Sequence, residues 1–381
     1  MSDLPLPADA GEVSRLEDTL ALALSGGGYR AMMFHVGVLW YLNDAGYLPK
    51  LDRVSSVSGG SITAGVLATR WKQLAATFDA KGRSPQFANL IVVPMRSLAG
   101  TTIDAGSVIS GALLPGTTVG DRIVKAYRKI LFGQTTLQEL PDRPKFFITA
   151  TNLQTGSLFR FSKKYLSDYK IGRVLNPTTG VAEAVAASSA FPPVLSPARL
   201  TLKHTDWSEL ETEICGVPPY TTDLILTDAG VYDNLGIEPL WKRCKRVLVS
   251  DAGGRYEPEA KVHSDPLRQT LRFMATTDNQ VRALRKRQVV GSFVDQTDAH
   301  SGAYFGMWVK PSEYPIQAPN LPIDNKRAEE LARTPTRLAK MANDLQNRLI
   351  NFGYGMTERA IRSYYDKDAW VPVAFPCPGG V

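Results

Sequence analysis

Two short segments of the chain could each do chemistry, because each places small residues between an apolar run and a helical pattern. The first is Ser25-Gly26-Gly27-Gly28-Tyr29-Arg30, called the glycine loop below. Glycines allow backbone N–H groups to turn toward one point, and the start of the following helix adds the positive end of its dipole. The glycine loop therefore predicts an anion site, suited to a phosphate or to a developing oxyanion.

The second segment is Ser56-Val57-Ser58-Gly59-Gly60, called the elbow below. A serine on a sharp strand-to-helix turn has an exposed hydroxyl, and the usual pattern is G-x-S-x-G. Here Ser56 stands in place of the first glycine, which its small side chain permits. The N–H of Gly59 is expected to face the same point as the glycine loop. The two segments follow consecutive strands, and α/β sheets place their active sites at the carboxyl ends of such strands.

A serine nucleophile needs a base, and two aspartates are candidates from the pattern alone. Asp228-Ala229-Gly230 follows the apolar run 224–227, and Asp251-Ala252-Gly253 follows the run 246–250 in the same way. Burial at a strand end raises the pKa of a carboxyl group toward a value useful for a base. The pattern does not separate the two aspartates.

Histidine is the alternative base, and the chain has four: His35, His204, His263 and His300. His35 lies inside the first predicted helix and is expected to be packed there. A triad in the order Ser58, Asp228, His263 stays open, since α/β-hydrolases use that order.

The glycine loop also matches the dinucleotide fingerprint G-x-G-x-x-A through Gly26, Gly28 and Ala31. That interpretation requires an acidic residue at the end of the next strand. Asp44 and Asp52 both precede the strand predicted at 53–57, so a dinucleotide-binding oxidoreductase is disfavoured.

The elements that position these segments follow from the apolar patterning. The first seventy residues predict strand, helix, strand, helix over 19–24, 29–43, 53–57 and 62–68, which is typical of a parallel sheet. Further strands are predicted at 145–150, 157–161, 224–227 and 246–250. Helices are predicted after Asp265-Pro266 and after Thr334-Pro335, the latter ending at Gly353. Residues 73–140 are expected to be an insertion of loops and short helices.

Composition narrows the class of protein. The chain has 381 residues, 44 % hydrophobic and 21 % charged, which is ordinary for a globular protein with a sizeable core. No apolar run reaches about 18 residues, and the first twenty residues do not resemble a signal peptide. Three cysteines are too few for a disulfide framework or a metal cluster, so we expect a reducing cytoplasm.

The net charge of +7 and the pI of about 9.2 are modest for this length and require no specific partner. The densest cationic run is Arg282, Arg285, Lys286 and Arg287. It is either a solvated helix face or a contact for anionic lipid headgroups. Aromatic residues are not interleaved with it, so neither DNA nor RNA is expected as a partner. Leu113-Leu114-Pro115 lies in a stretch, 86–115, that could form a lid or a membrane-contacting surface.

Taken together, three motifs resemble the blocks of the patatin-like phospholipase family: G-G-G-x-[RK], G-x-S-x-G and D-G-[GA]. They are the glycine loop, the elbow and Asp228-Ala229-Gly230, in the family's order and spacing. Ala150–Gly156 and Ala186–Pro193 are supporting blocks, and the tail around Arg348–Tyr354 resembles bacterial members. Ala229, in place of a glycine, is a second small departure from the family pattern.

The resemblance implies a three-layer α/β fold, with a mainly parallel central sheet, helices on both faces and a helical C-terminal cover. A catalytic core over 16–255 would contain the insertion at 73–140. Residues 256–381 would form a mostly helical extension packed on the same domain.

The resemblance also implies a Ser–Asp dyad without histidine, metal or cofactor. Carried over, Ser58 is the nucleophile and Asp228 the base, with Asn234 and Leu235 after it, while Asp251 is structural. The oxyanion would be held by N–H groups of the glycine loop and the elbow. These are Gly26, Gly27, Gly28 and Gly59, with Arg30, Gly60 and Gly230 as supporting residues; Arg30 is expected to brace the glycine loop rather than attract a lipid phosphate.

The function implied is hydrolysis of fatty-acyl esters of phospholipids or lysophospholipids, at the inner face of a membrane to which the protein binds peripherally. One alternative is the same chemistry switched on by a cyclic oligonucleotide, in a membrane-degrading effector of an anti-phage system. Another is a non-enzymatic lipid- or nucleotide-binding protein on this fold. A homo-oligomer is an additional expectation.

Overall fold

The computed structural model describes residues 16–103, 119–208, 214, 216–295 and 299–381. None of the helices in these ranges is both long enough and apolar enough to span a bilayer. The predicted lid residues Leu113-Leu114-Pro115 lie outside the described ranges, as do residues 1–15 and Cys215.

One sheet organises the described part of the chain. Its strands are β1 (Glu17–Leu24), β2 (Leu51–Ser56), β3 (Lys145–Asn152), β4 (Ser157–Phe161), β5 (Tyr165–Asp168), β6 (Gly172–Leu175), β7 (Ala198–Thr201), β8 (Trp207–Ser208), β9 (Asp223–Asp228), β10 (Cys244–Asp251) and β11 (Ser301–Gly306). The order β11-β10-β1-β2-β3 is parallel throughout. From β3 the sheet continues antiparallel through β4, β5, β6 and β8, and β9 pairs with β3 and β7.

The helices precede, connect and follow these strands. They are α1 (Gly28–Asp44), α2 (Gly59–Ala75), α3 (Val93–Ala99), α4 (Val119–Tyr127), α5 (Val181–Ser188), α6 (Gly230–Asp233), α7 (Glu238–Trp241), α8 (Pro266–Val294), α9 (Asn325–Ala332) and α10 (Asn343–Ala360). Short 3-10 turns lie at Leu48–Lys50, Leu137–Glu139, His204–Asp206 and Pro311–Glu313, and π turns at Ala88–Val92, Arg128–Phe132 and Ile361–Tyr365.

Both faces of the sheet are covered, and β1 shows this directly because side chains of a strand alternate between faces. Leu22 belongs to the large core cluster that also contains Phe34 of α1 and Phe352 of α10. Its neighbour Ala23 belongs to a smaller cluster with Leu240 of α7. The prediction of a mixed α/β fold with helices around a large central sheet is therefore confirmed.

Strand β3 is the branch point of the sheet. Its first half, residues 145–148, pairs with β2 in parallel, and its last residues, 150–152, pair with β9 in antiparallel. Strand β4 occupies the other edge over 148–152, so β2 and β9 share one edge and run toward each other. Ser56 ends β2 opposite Ile148, and Asp228 ends β9 opposite Ala150. The carboxyl ends of β2 and β9 therefore meet.

Helices α1 and α10 cross at two glycines. A Cβ at Gly37 would lie 1.9 Å from the carbonyl oxygen of Ile350, and one at Gly353 would lie 1.9 Å from that of Phe34. The prediction that a helix starts after Thr334 and stops at Gly353 is wrong, since α10 runs from Asn343 to Ala360. Gly353 is inside the helix because the backbones approach closely there, not because the helix ends.

The segment before α10 joins the insertion to the core. The N–H of Ile103 donates to the carbonyl of Leu338 at 2.9 Å, and the N–H of Met341 donates to that of Ala99 at 2.8 Å. The N–H of Tyr29, in the first turn of α1, donates to the carbonyl of Arg337. The C-terminal region thus lies directly against the glycine loop.

Candidate active site

Ser58 stands at the sharp turn between β2 and α2. Its φ is 50° and its ψ is −119°, a backbone conformation that a non-glycine residue adopts only when its surroundings impose it. Gly60 permits the turn, because a Cβ there would lie 2.5 Å from the carbonyl oxygen of Leu24. The elbow therefore packs onto the end of β1, next to the glycine loop.

A chain of hydrogen-bonded hydroxyl groups holds the elbow in place. Ser56, at the position of the missing first glycine, is buried and accepts a 3.0 Å hydrogen bond from the Ser61 hydroxyl. Ser61 lies 2.8 Å from the hydroxyl of Ser188 in α5, and the backbone N–H of Ser58 donates to that same Ser188 hydroxyl at 2.9 Å. The serine at position 56 thus takes part in holding the turn. Ser61 belongs to none of the sequence motifs, and Ser188 belongs only to a supporting block.

Asp228 is the last residue of β9 and is fixed by its own backbone. Its N–H donates to the carbonyl of Ala190 at 3.0 Å, and its carbonyl accepts from the Thr151 hydroxyl at 2.9 Å. In its side chain, Oδ1 accepts from the N–H of Gly230 at 2.7 Å. The other oxygen, Oδ2, is buried without a hydrogen-bond partner among the described residues. One oxygen thus orients the carboxylate and the other is available for a proton.

Burial raises the pKa of Asp228 to about 6. The Ser58 hydroxyl and the N–H of Gly230 act in the opposite direction and lower that pKa, while the negative charge of Asp278 raises it. A carboxyl group with this pKa is unprotonated at neutral pH and takes up a proton more readily than an exposed aspartate does. The structure therefore brings Ser58 and Asp228 close to each other, and their roles as nucleophile and base stay a prediction.

The glycine loop lies against Ser58, since a Cβ at Gly26 would be 3.2 Å from Cβ of Ser58. The N–H of Gly26 donates to the carbonyl of Asn234 at 3.1 Å and is therefore already used. For Gly27, Gly28 and Gly59, no acceptor of the N–H is found among the described residues. Gly59 packs on Gly28, whose carbonyl oxygen would be 2.2 Å from a Cβ at position 59.

Asn234 links the three strand-end segments. Its carbonyl holds Gly26, and its Oδ1 would lie 2.6 Å from a Cβ at Gly26 and 2.7 Å from one at Gly230. Its Nδ2 would lie 2.7 Å from a Cβ at Gly253. Glycine at these three positions leaves room for the amide. In the sequence, Asn234 is only a residue that follows the third motif, because spacing alone does not show this contact.

Arg30 is buried and braces the glycine loop. Its guanidinium donates to three backbone carbonyls, those of Ala252, Ala332 and Thr334, at 3.0, 3.2 and 2.7 Å. Burial lowers the pKa of Arg30 to about 10. These acceptors belong to two different parts of the chain, so the guanidinium connects α1 to the end of β10 and to the C-terminal region.

The second aspartate, Asp251, has both carboxylate oxygens engaged. Oδ2 accepts from the Tyr304 hydroxyl at 2.6 Å, and Oδ1 accepts from the N–H of Gly253 at 2.9 Å. The two aspartates, which the pattern left equal, thus differ in the oxygen that each has available.

Each of the four histidines makes contacts that do not involve Ser58 or Asp228. His35 is buried, with Nε2 donating to the carbonyl of Ser25 and Nδ1 2.9 Å from the Ser250 hydroxyl, and burial lowers its pKa to about 4. This is the packed histidine that the sequence predicted. His263 is exposed and bonded to Arg268, His204 bonds to Thr221, and His300 stacks on Trp241. The triad with His263 gains no contact from the structure.

The cationic run on α8 faces the body of the protein in part. Arg285 pairs with Glu238 at 3.1 Å and with the buried Asp233 at 3.8 Å. Arg282 pairs with Asp278 and donates to the carbonyl of Gly254. The Lys286 ammonium lies 4.8 Å from the ring centre of Tyr304, and Arg287 is exposed. Within the described ranges, no cluster of three or more His, Cys, Asp or Glu residues could hold a metal ion.

A known protein family matches the part of the chain that contains the elbow and Asp228. The model of the patatin-like phospholipases matches residues 22–241, more than half of the chain, and the chain belongs to this family. A search of curated protein sequences found no significant match.

Among solved structures, human GIVD cytosolic phospholipase A2 is similar, with 13 % identity and a TM-score of 0.52 over 90 % of this chain and 58 % of that one. VipD from Legionella pneumophila matches with 16 % identity and a TM-score of 0.41, over 92 % of this chain and 68 % of the other. This chain therefore spans somewhat more than half of the human structure, and at 13 % identity the likeness is one of fold.

Proposed function

We propose that the protein is a serine lipid acyl hydrolase that cleaves fatty-acyl esters of membrane phospholipids or lysophospholipids. The observation that carries the proposal is the pairing at the carboxyl ends of β2 and β9. There, Ser58 sits on a strained elbow beside a buried aspartate whose Oδ2 has no other partner in the described structure. Membership of the patatin-like phospholipase family supports the substrate class.

In the first half-reaction, the Ser58 hydroxyl gives its proton to Oδ2 of Asp228 as its oxygen attacks the ester carbonyl. The oxyanion of the tetrahedral intermediate accepts hydrogen bonds from the N–H groups of Gly27 and Gly28, and the N–H of Gly59 is a third candidate. Each well-placed donor contributes about 3 kcal/mol to stabilising that charge. The protonated Asp228 then returns the proton to the leaving alcohol, and an acyl-enzyme remains.

In the second half-reaction, Asp228 accepts a proton from water, which attacks the acyl carbonyl of the acyl-enzyme. The same N–H groups hold the second oxyanion. Collapse of this intermediate releases the fatty acid, and the proton on Asp228 returns to the Ser58 oxygen. The cycle needs one base that can also act as an acid, which fits the pKa of about 6 for Asp228.

The test is fatty-acid release from vesicles of phosphatidylglycerol and phosphatidylethanolamine, with labelling by an alkyl fluorophosphonate as a second readout. We expect wild type to be active and Ser58→Ala and Asp228→Asn each to lose activity by about a thousandfold or more. Asp251→Asn is the matched control, since it is the equivalent aspartate of the next strand; His263→Ala tests the triad.

Labelling of wild type but not of Ser58→Ala identifies the nucleophile and excludes a protein that merely binds lipid. If Asp251→Asn or His263→Ala loses activity while Asp228→Asn keeps it, the base assignment is wrong.

A further inference from the structure

Helix α8 leaves large apolar side chains open to solvent. Leu267, Leu271, Phe273, Met274 and Leu284 are between 48 and 72 % exposed, and we call these five residues the α8 apolar face. Along the whole helix, all of which the structure describes, Val289 is the one buried residue. A helix of a globular protein usually turns its apolar stripe toward the core. This one does not, so the apolar face requires another explanation.

The helical repeat places these five residues on one side. Leu267, Leu271 and Met274 follow the spacing i, i+4, i+7 and form one stripe. Phe273 and Leu284, eleven residues apart, form a second stripe about a third of a turn away. The apolar face therefore occupies somewhat less than half of the circumference of the helix.

The same helix is anchored beside the catalytic aspartate. Arg285 of α8 pairs with Asp233 and Glu238, which follow Asp228 closely in the chain. Nearer to the apolar face, Asp278 lies close enough to Asp228 for its charge to raise the pKa of that carboxyl group. A surface that contacts the α8 apolar face would thus be held near the catalytic dyad.

Two more exposed apolar side chains flank Asp228. Val231, which is 50 % exposed, lies three residues after Asp228. Phe191, which is 56 % exposed, follows Ala190, whose carbonyl accepts a hydrogen bond from the N–H of Asp228. Apolar surface is therefore present on the segments that hold the base as well as on α8.

The charge around the apolar face indicates what could cover it. Residues 255–294 contain eight Lys and Arg residues and four Asp and Glu residues. Arg268 and Arg272 are ion-paired with acidic neighbours. Lys261 and Arg287 are exposed, and no ion pair of theirs is found among the described residues. Apolar side chains flanked by cations suit a bilayer of anionic lipids, where the apolar groups enter the acyl region and the cations meet headgroups. Two copies of this helix placed face to face would instead bring like charges together.

We propose that the α8 apolar face docks the protein on an anionic phospholipid bilayer and so places the Ser58–Asp228 dyad at the lipid surface. The helix lies in the plane of the interface, with its five apolar side chains among the upper acyl segments. The proposal rests on the proposed function, since it supplies the route by which a lipid ester reaches that site.

The experiment measures flotation of Ser58→Ala protein with vesicles of phosphatidylglycerol and phosphatidylcholine, and with phosphatidylcholine alone. We expect binding to the anionic vesicles that weakens with salt. In the same background, the double variant Leu267→Ser/Phe273→Ser should bind at least tenfold more weakly. The matched control is Leu175→Ser/Val373→Ser, which removes two apolar side chains outside α8 that are 61 and 98 % exposed, and this variant should bind as before.

Hydrolysis of p-nitrophenyl butyrate by the variants with Ser58 intact separates docking from chemistry, because this ester reaches the site from solution. Reduced flotation with unchanged hydrolysis of this ester supports the proposal. Unchanged flotation of the Leu267→Ser/Phe273→Ser protein overturns it, as does a wild type that floats with neither vesicle but forms a dimer that this variant dissociates. If flotation behaves as expected and wild type does not hydrolyse any ester, docking stands and the proposed function fails.

Discussion

The hydroxyl of Ser188 accepts the backbone N–H of Ser58 at 2.9 Å, across 130 positions of the chain. The same hydroxyl lies 2.8 Å from that of Ser61, which donates to Ser56. The strained backbone of Ser58 is thus held from α5, a helix separate from β2, which precedes Ser58, and from β9, which ends at Asp228.

Ser188→Ala should lower kcat about tenfold with little change in KM. The substitution leaves the buried N–H of Ser58 without an acceptor, which costs about 1–3 kcal/mol, and the elbow relaxes from its productive geometry. Steady-state kinetics on p-nitrophenyl butyrate measure this. Ser189→Ala is the control, because the Ser189 hydroxyl bonds to Val185 and Tyr127 rather than to the elbow. Equal losses in the two variants would contradict the role given to Ser188.

The pH profile should report Asp228. The base must be unprotonated to accept the proton of Ser58, so kcat/KM should rise as the pH increases through about 6 and level off above it. Asp278→Asn removes a negative charge that raises the pKa of Asp228, and the rising limb should therefore move to lower pH. Glu329→Gln, an exposed acid on α9, should leave the limb in place. A limb that does not respond to Asp278→Asn would show that its charge does not reach the base.

Gly59→Ala should reduce kcat by about a hundredfold or more. The added Cβ would lie 2.2 Å from the carbonyl oxygen of Gly28, so the glycine loop must move and its free N–H groups with it. The rate of fluorophosphonate labelling of Ser58 should fall in parallel. Gly291→Ala on α8 has open space around the new Cβ and should label at the wild-type rate. Unchanged kinetics in Gly59→Ala would exclude the proposed oxyanion donors.

Arg30→Met should lower both the melting temperature and kcat, because three backbone carbonyls lose their donor and the glycine loop loses its brace. The loss of kcat should be equal on a phospholipid and on p-nitrophenyl butyrate, which has no phosphate. Arg30→Lys should recover part of both. A loss confined to the phospholipid would instead assign Arg30 to binding the lipid phosphate.

Gly353→Ala should destabilise the protein by about 3 kcal/mol or more, since its Cβ would collide with the backbone of Phe34 and force α1 and α10 apart. Thermal unfolding measures the loss. Gly291→Ala, also within a helix, should raise the melting temperature slightly, because alanine favours the helix where nothing is displaced. A wild-type melting temperature for Gly353→Ala would mean that the crossing can widen at little cost.

The strands that carry the site were predictable from the sequence. The four runs predicted as strands next to the site are β1, β2, β9 and β10. Each site residue ends its strand or comes directly after it. The direction of β9 was not predictable. It runs antiparallel to β3, and this is what brings Asp228 to the end of β2. An apolar run does not encode the direction of its strand, so the pattern could not separate Asp228 from Asp251. Only the resemblance to the family favoured Asp228.

The contacts around several glycines could not be predicted from the sequence either. A glycine often marks the end of a helix, so the sequence predicts an end at Gly353. Only the close approach of α1 shows why glycine is needed at this position. Asn234 likewise has no signal of its own until Gly26, Gly230 and Gly253 surround it. Gating by a cyclic oligonucleotide and a lid around Leu113 stay predictions, and the vesicle assay with added cyclic di- and trinucleotides tests the first.

The three carbonyls that hold Arg30 have a consequence for the order of events during synthesis. Two of them, at Ala332 and Thr334, come about three hundred residues after the guanidinium they bind. Ser58 and Asp228 emerge from the ribosome well before these acceptors. A nascent chain therefore contains Ser58 and Asp228 before its glycine loop is braced, so we expect the proposed hydrolase activity only after the acceptors at Ala332 and Thr334 have been made.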